Sequence, residues 1–285
     1  MKPIWICAII GEEKAKPMPH LPEFDEVGCW SEIKLEIIGE YASAYSQILT
    51  AKKLPHIYVD AFAGAGRHIS KRSGDIIAGS PIKALEVEPP FREFHLIDLS
   101  SERTSGLRAL IGDRPDVFIY AGDANRILGQ EIFPTLKYES YRRALCLLDP
   151  YGLQLKWPVI YQAGQLGTID MFLNFPVMDI NRNVLWRDAE KVTAERRERL
   201  NSFWGDDSWR SGAYTSSRNL FGELEKESNE VIAEGFRKRL TDVAGFKRVP
   251  PPIPMRNSNG AIVYYLFFAS QVDVAERIII DIFNK

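Results

Sequence analysis

Residues 56–66 read His-Ile-Tyr-Val-Asp-Ala-Phe-Ala-Gly-Ala-Gly: a short apolar run rich in β-branched and aromatic side chains, then an acid, then small residues. The apolar part does not alternate with polar residues, which is the pattern of a strand covered on both faces. Four more runs of this kind follow: EFHLIDL (93–99), VFIYAGD (117–123), ALCLLDP (144–150) and TIDMFLNF (168–175), each closing near Asp, Gly or Asn. Helical stretches fit between them at 81–88, 101–111, 124–133 and 157–164, the first with Ser80 as cap and Pro81 at its opening position. Strands alternating with helices predict a doubly wound α/β fold around a mostly parallel, Rossmann-like sheet.

Upstream, Ile33, Ile37, Tyr41, Ala44, Tyr45, Ile48 and Leu49 recur at helical spacing, with Ser31 as the expected cap and Lys52-Lys53 near the C-terminal end. Residues 1–29 carry Pro17, Pro19 and Pro22 without sustained periodicity and read as an irregular arm. Downstream the strand rhythm breaks after Pro176, so 177–216 reads as a helical insertion, followed by a long helix at 217–241. Residues 246–249 and the apolar run 261–269, joined through PPPIPMRNSNG (250–260), predict an antiparallel strand pair closing the sheet. Residues 30–285 thus form one α/β domain.

A chain of 285 residues with 45% hydrophobic and 26% charged side chains has the balance of a single large globular domain. Thirty-six basic against thirty-eight acidic residues give a net charge of −2, so any attraction for a polyanion must be local. Cys7, Cys29 and Cys146 are an odd set with no CxxC pair, against a disulfide framework or a structural zinc, and fit a cytoplasmic protein. The longest apolar runs, 4–10 and 261–269, are too short to span a bilayer, and Gly11-Glu12-Glu13-Lys14 stands where a signal peptide would need its cleavage site. His20, His56, His68 and His95 have no ligand spacing, so no metal is expected, and Ser80 lacks the GxSxG elbow of hydrolases. Nothing in the sequence sets the oligomeric state.

Ligands of open α/β sheets bind beyond the carboxyl ends of the strands. At the first such end, Asp60, Phe62, Gly64 and Gly66 form a small-residue turn that lets a ligand reach the backbone. A dinucleotide would want GxGxxG leading at once into a helix, but the third glycine position is Ile69 and the next helix waits until Ser80. Asp60 would also repel a pyrophosphate, whereas it suits the ammonium and sulfonium of S-adenosylmethionine. Asp98 can accept ribose hydroxyls, while Asp123 and the Ala124 backbone NH can pair with adenine. The competing explanation for all three acids is helix capping.

At the fourth strand end, Asp149-Pro150-Tyr151-Gly152 is the sharpest motif. An exocyclic amine of a nucleobase has its lone pair delocalised into the ring; acceptors on both its hydrogens draw that pair out toward a methyl group. Asp149 and the Pro150 carbonyl suit that role, with Tyr151 stacking on the base. An Asp-Pro turn with Tyr151 in the core is the plain alternative. Asn174, Asp179, Asn181 and Arg182 at the fifth strand end either line the acceptor side or cap the next helix. Phe203, Trp204 and Trp209 beside Arg210 read more readily as core than as a stacking platform. Arg196, Arg197 and Arg199 alternate with Glu195 and Glu198 as on a solvated helix face, and Lys71-Arg72 are the better phosphate candidates.

YVDAFAGAG (58–66), GSPIKAL (79–85), GDAN (122–125), LLDPYGL (147–153) and FLNFPVMDINRN (172–183), in this order and spacing, resemble the three-Cys-motif partner family, which is similar to class I S-adenosylmethionine-dependent methyltransferases. The resemblance covers about residues 30–270. It implies a methyltransferase-type sheet binding S-adenosylmethionine through Asp60, Gly64, Gly66, Asp98 and Asp123, with Asp149, Pro150 and Tyr151 as the amine-methylating motif. That motif departs from Asp-Pro-Pro-Tyr of adenine methyltransferases and is closer to Asp-Pro-aromatic-Gly of transfer RNA guanine-N2 methyltransferases. The expected substrate is RNA or DNA held between the insertion 177–216, with Arg182, Arg187, Arg196, Arg197, Arg199 and Arg210, and the loop 67–79, with Arg67, Lys71 and Arg72. The alternative is a non-catalytic chain that keeps the methyltransferase-type fold and acts beside a separate cysteine-motif protein.

Overall fold

The computed structural model describes residues 24–186, 191–218 and 224–285. Its centre is a seven-stranded sheet of β1 (His56–Asp60), β2 (Glu93–Asp98), β3 (Val117–Ala121), β4 (Arg143–Leu148), β5 (Ile169–Phe175), β6 (Ile253–Arg256) and β7 (Ile262–Ala269). The spatial order is β3-β2-β1-β4-β5-β7-β6; the pairs from β3 to β5 are parallel, and β7 runs antiparallel to both β5 and β6. The five expected parallel strands are present. Successive side chains of the central strands enter two different cores, as continuous apolar strands require. Ile57, Val59, Cys146 and Leu148 join one core, while Tyr58, Leu145 and Leu147 join the other.

Helix α1 (Cys29–Ala51) lies on the second face with Tyr41 and Tyr45 buried. It is followed by α2 (Ser80–Leu85), α3 (Ser101–Ile111) and the short α4 (Ala124–Ile127), capped respectively by Gly79, Ser100 and Asp123. The first face is covered by α5 (Trp157–Leu166) and by chain from the insertion: α6 (Val177–Asn183), α7 (Ala194–Trp204) and α8 (Trp209–Ala213). After them come α9 (Asn229–Asp242) and α10 (Asp273–Phe283). Phe203, Trp204 and Trp209 are buried with Phe175 and Phe236, so the aromatic trio is core and not a stacking platform.

Several expectations are corrected. Helix α1 starts at Cys29 with Gly28 as its N-cap, and Ser31 lies inside its first turn. Within the expected arm, residues 1–23 lie outside the described residues, but Glu26–Val27 is a strand pairing in parallel with Arg67–Ser70. The expected loop 67–79 is a β-hairpin of Arg67–Ser70 against Ile76–Ala78; Gly74, at φ 77°, closes its turn with its NH on the Ser70 carbonyl. The helix expected over 124–133 widens at Leu128–Ile132 into a π turn and then tightens to a 3₁₀ turn at Phe133–Thr135, where Pro134 cannot donate. The long helix expected over 217–241 is instead an antiparallel pair, Tyr214–Arg218 with Leu224–Lys226, before α9. Finally, the strand next to the last is Ile253–Arg256, not 246–249: Pro254 is tolerated because β6 is the sheet edge, and the turn is Asn257 to Gly260. No helix among the described residues is long and apolar enough to cross a membrane.

Candidate functional site

All five parallel strands end at one rim, and two cavities open there that share Phe62 and Tyr151. One cavity, of about 710 Å³, is lined by Asp98, Leu99, Gly122, Asp123, Ala124 and Asn125, among others. Asp98 Oδ2 accepts the Gly64 NH at 3.0 Å and its Oδ1 the Ser100 NH at 2.8 Å, so one carboxylate joins the glycine turn to the start of α3. Each oxygen keeps a lone pair for a further donor. Leu99 is 72% exposed at this rim, a flat apolar flank. Asp123 caps α4, its Oδ1 accepting the Asn125 NH at 2.9 Å; the capping explanation therefore holds for this residue while it still lines the cavity.

The glycines divide by role. Gly64 has φ 63°, and a side chain there would meet open space beside the second cavity. Gly66, at φ 80°, faces Leu107 of α3, where a Cβ would come within 2.6 Å of the leucine methyl. Gly66 therefore serves packing and lines neither cavity. Asp60 lines neither cavity either: it is fully buried, accepting Ser80 Oγ at 2.6 Å and the Phe62 NH at 3.2 Å. Burial pushes its carboxyl up to about 6, against the pull of those two hydrogen bonds and of Lys34. It braces the turn from below.

The second cavity, of about 510 Å³, holds Asp149, Pro150, Tyr151, Gly152 and Asn174, with Lys34 and His68 opposite. Asp149 forms an ion pair with Lys34 and its Oδ1 accepts Asn174 Nδ2 at 2.8 Å. Burial would lower the Lys34 ammonium, but Asp149 and Tyr264 outweigh it and hold Lys34 above its ordinary value. The carboxylate fixes the Asn174 amide with its nitrogen inward, so Asn174 Oδ1 is left unpartnered at 8% residue exposure. Asp179 Oδ2 and His68 Nδ1 are also unpartnered, and both residues line the same cavity. Three of the four buried, unpartnered side-chain atoms among the described residues thus belong to this one cavity, which marks it as a place for a polar ligand.

Tyr151 is not in the core: it is 57% exposed, donates to Asp25 Oδ2 at 3.0 Å and accepts from Arg103 at 3.2 Å, with the guanidinium 5.5 Å from its ring. Asp25 and Arg103 are themselves paired at 2.9 Å. Arg182 lines the second cavity and Arg199 the first. Lys71 and Arg72 line neither; they sit at the hairpin turn, with Lys71 3.9 Å from Glu26. Arg187 lies outside the described residues. Lys34 was not singled out by the sequence pattern, although a signal existed: it stands on the helical stripe of Ile38, Tyr41 and Tyr45, where a lysine is out of place unless paired. Asp25, Leu99 and Arg103 carry no such signal.

The sheet order with a single reversed strand is the arrangement expected of a methyltransferase-type sheet. The chain has a doubly wound, Rossmann-like α/β fold with a mostly parallel seven-stranded sheet. No family model matches it, and no curated protein does. Among solved structures, a Legionella pneumophila protein of the DUF519 family is similar over 90% of this chain and 91% of its own, at 12% identity and a TM-score of 0.50. A candidate methyltransferase from Thermobifida fusca matches 85% of this chain and 79% of its own at 11% identity, TM-score 0.43. A candidate S-adenosylmethionine-dependent methyltransferase from Listeria monocytogenes matches 82% of this chain and 99% of its own at 12% identity, TM-score 0.40.

Proposed function

We propose that the protein binds S-adenosylmethionine and transfers its methyl group to an exocyclic amine of a nucleic-acid base. The observation that carries this reading is the pair of cavities meeting at Phe62 and Tyr151, one with ribose- and adenine-matching groups and the other with the Asp149 motif. The residues fit the cofactor: Gly64 leaves open space in the turn, Asp98 keeps acceptor capacity, and Leu99 offers an apolar flank for a purine. When bound, S-adenosylmethionine supplies an electrophilic methyl group. Asp149 and the Pro150 carbonyl accept the two hydrogens of the target amine and aim its lone pair; Tyr151 stacks on the base. The surplus proton of the methylated nitrogen would pass through Asp149 to water.

A second reading has an observation of its own. Lys34 occupies one oxygen of Asp149, which suits a non-catalytic chain that keeps the fold and acts beside a cysteine-motif protein. Calorimetry with S-adenosylmethionine, joined to transfer of a radiolabelled methyl group into RNA, DNA, protein and metabolite fractions, separates the two. The expected result is binding plus label in nucleic acid, with Asp149→Asn keeping cofactor affinity within about threefold while transfer falls by roughly a hundredfold or more. Binding with no label in any fraction favours the partner reading, and label confined to protein or metabolites removes the nucleic-acid substrate.

A further inference from the structure

Beside the second cavity, and joined to it through Met178 and Arg182, runs a shallow polar groove. It lies between α6 and the β6–β7 turn and is lined by Asn181, Arg182, Asn229, Arg256 and the backbone from Gly260 to Ile262. Its floor is held by neutral amides: Asn181 Nδ2 donates to Asn229 Oδ1 at 2.8 Å, and Lys226 Nζ donates to Asn181 Oδ1 at 2.5 Å. Arg256 gives one NH to the Gly260 carbonyl at 2.9 Å and keeps its other donors. Among the described residues, none of Arg182, Lys226 and Arg256 is in a salt bridge. Beside the groove, one residue beyond Asn229, stands Glu230, whose own backbone NH and Ser228 hold it below its ordinary value, with a smaller pull from Arg256.

From this we infer that the groove is the track for the phosphodiester backbone of the strand whose base enters the second cavity. The inference rests on the nucleic-acid reading; it keeps one side of the expected grip at α6 and moves the other from the 67–79 hairpin to the β6–β7 turn. Three arguments support it. The groove begins where the acceptor cavity ends, so a nucleotide with its base beside Tyr151 leaves its phosphates at Arg182. Guanidinia with spare donors, on two separate elements, suit successive bidentate phosphate contacts. Neutral amides and exposed backbone make a floor that tolerates any sequence, as a backbone site must.

The test is fluorescence anisotropy of a labelled, mixed-sequence single-stranded RNA on the full chain, with S-adenosylhomocysteine present, over a series of salt concentrations. Arg256→Glu should weaken binding at least about fivefold and lower the slope of log K against log salt by roughly 0.7 to 1. Arg256→Gln should give a smaller loss of the same kind, and unchanged S-adenosylhomocysteine affinity for both variants shows that the fold is kept. Loss on Arg72→Glu with none on Arg256→Glu overturns the inference and restores the hairpin as the grip, leaving the nucleic-acid reading intact. Absence of RNA and single-stranded DNA binding by the unmodified chain overturns both. Equal affinity for a polyglutamate peptide also overturns the inference, since it would mean an acidic protein occupies the groove.

Discussion

Replacing Lys34 by Met deletes one half of the ion pair that orders the second cavity. The Lys34 side chain is 9% exposed and that of Asp149 27%, so the lysine is lost from a largely dry position while its partner keeps some water. Breaking a fully buried pair costs about 3–5 kcal/mol, and the partial access of Asp149 places this one near the low end, about 3 kcal/mol. Asn174 alone remains on the carboxylate, and the fully buried Asp60 loses a nearby positive charge as well. The Asp60 carboxyl, already pushed up to about 6 by burial, then lies further above its unfolded value, so the variant loses stability as pH rises through that window. The damage is therefore larger at pH 8 than at pH 5. Adding Asn at position 149 removes the stranded charge and should restore most of the loss. Urea unfolding of the parent, Lys34→Met, Asp149→Asn and the double variant gives the coupling energy directly. A loss under about 1 kcal/mol at pH 8, with coupling near zero, would place the pair among weak surface contacts and refute the reasoning.

Asp170, at the far end of β5, accepts from Tyr41 at 2.6 Å and from Ser270 at 2.5 Å, and burial pushes it up to about 6. A raised acid holds its proton better when folded, so its ionisation costs stability as pH rises from about 4 to 6; Asp170→Asn should gain on the parent by up to roughly 3 kcal/mol over that window, and a difference flat with pH would contradict it. Gly66→Ala combines φ 80° with a 2.6 Å approach to Leu107 and should lower stability by about 2–3 kcal/mol in denaturant unfolding, whatever the ligand. Gly64→Ala meets open space at φ 63° and should cost only about 1–2 kcal/mol, yet lower S-adenosylmethionine affinity in calorimetry because its methyl points into the cavity; unchanged affinity would argue against the turn as the cofactor cradle.

The alternation of unbroken apolar runs with helical stretches was enough to read five parallel strands, because a strand wrapped on both faces has no polar side to show. The acids and small residues at the strand ends were legible for the same local reason: chain leaving a buried strand must turn, and turns and caps select Asp, Asn and Gly. Roles were not local. Asp60 and Gly66 carry the same signal as Asp98 and Gly64, yet one pair is packed under the turn and the other faces the cavities, a difference set by where α2 and α3 lie against the loop. The stretch 67–79 reads as a loop, since a three- or four-residue hairpin with a polar turn has too few apolar residues to show period two. Likewise β6 hides among prolines because only its place at the sheet edge makes Pro254 tolerable. Lys34 and Asp149 are 115 residues apart in the chain, and Asp25 and Tyr151 are 126 apart. Local preference carries no information at such separations; packing α1 and the Glu26–Val27 strand against the rim brings those charges together, and through-space electrostatics, not sequence spacing, then decides what each can do.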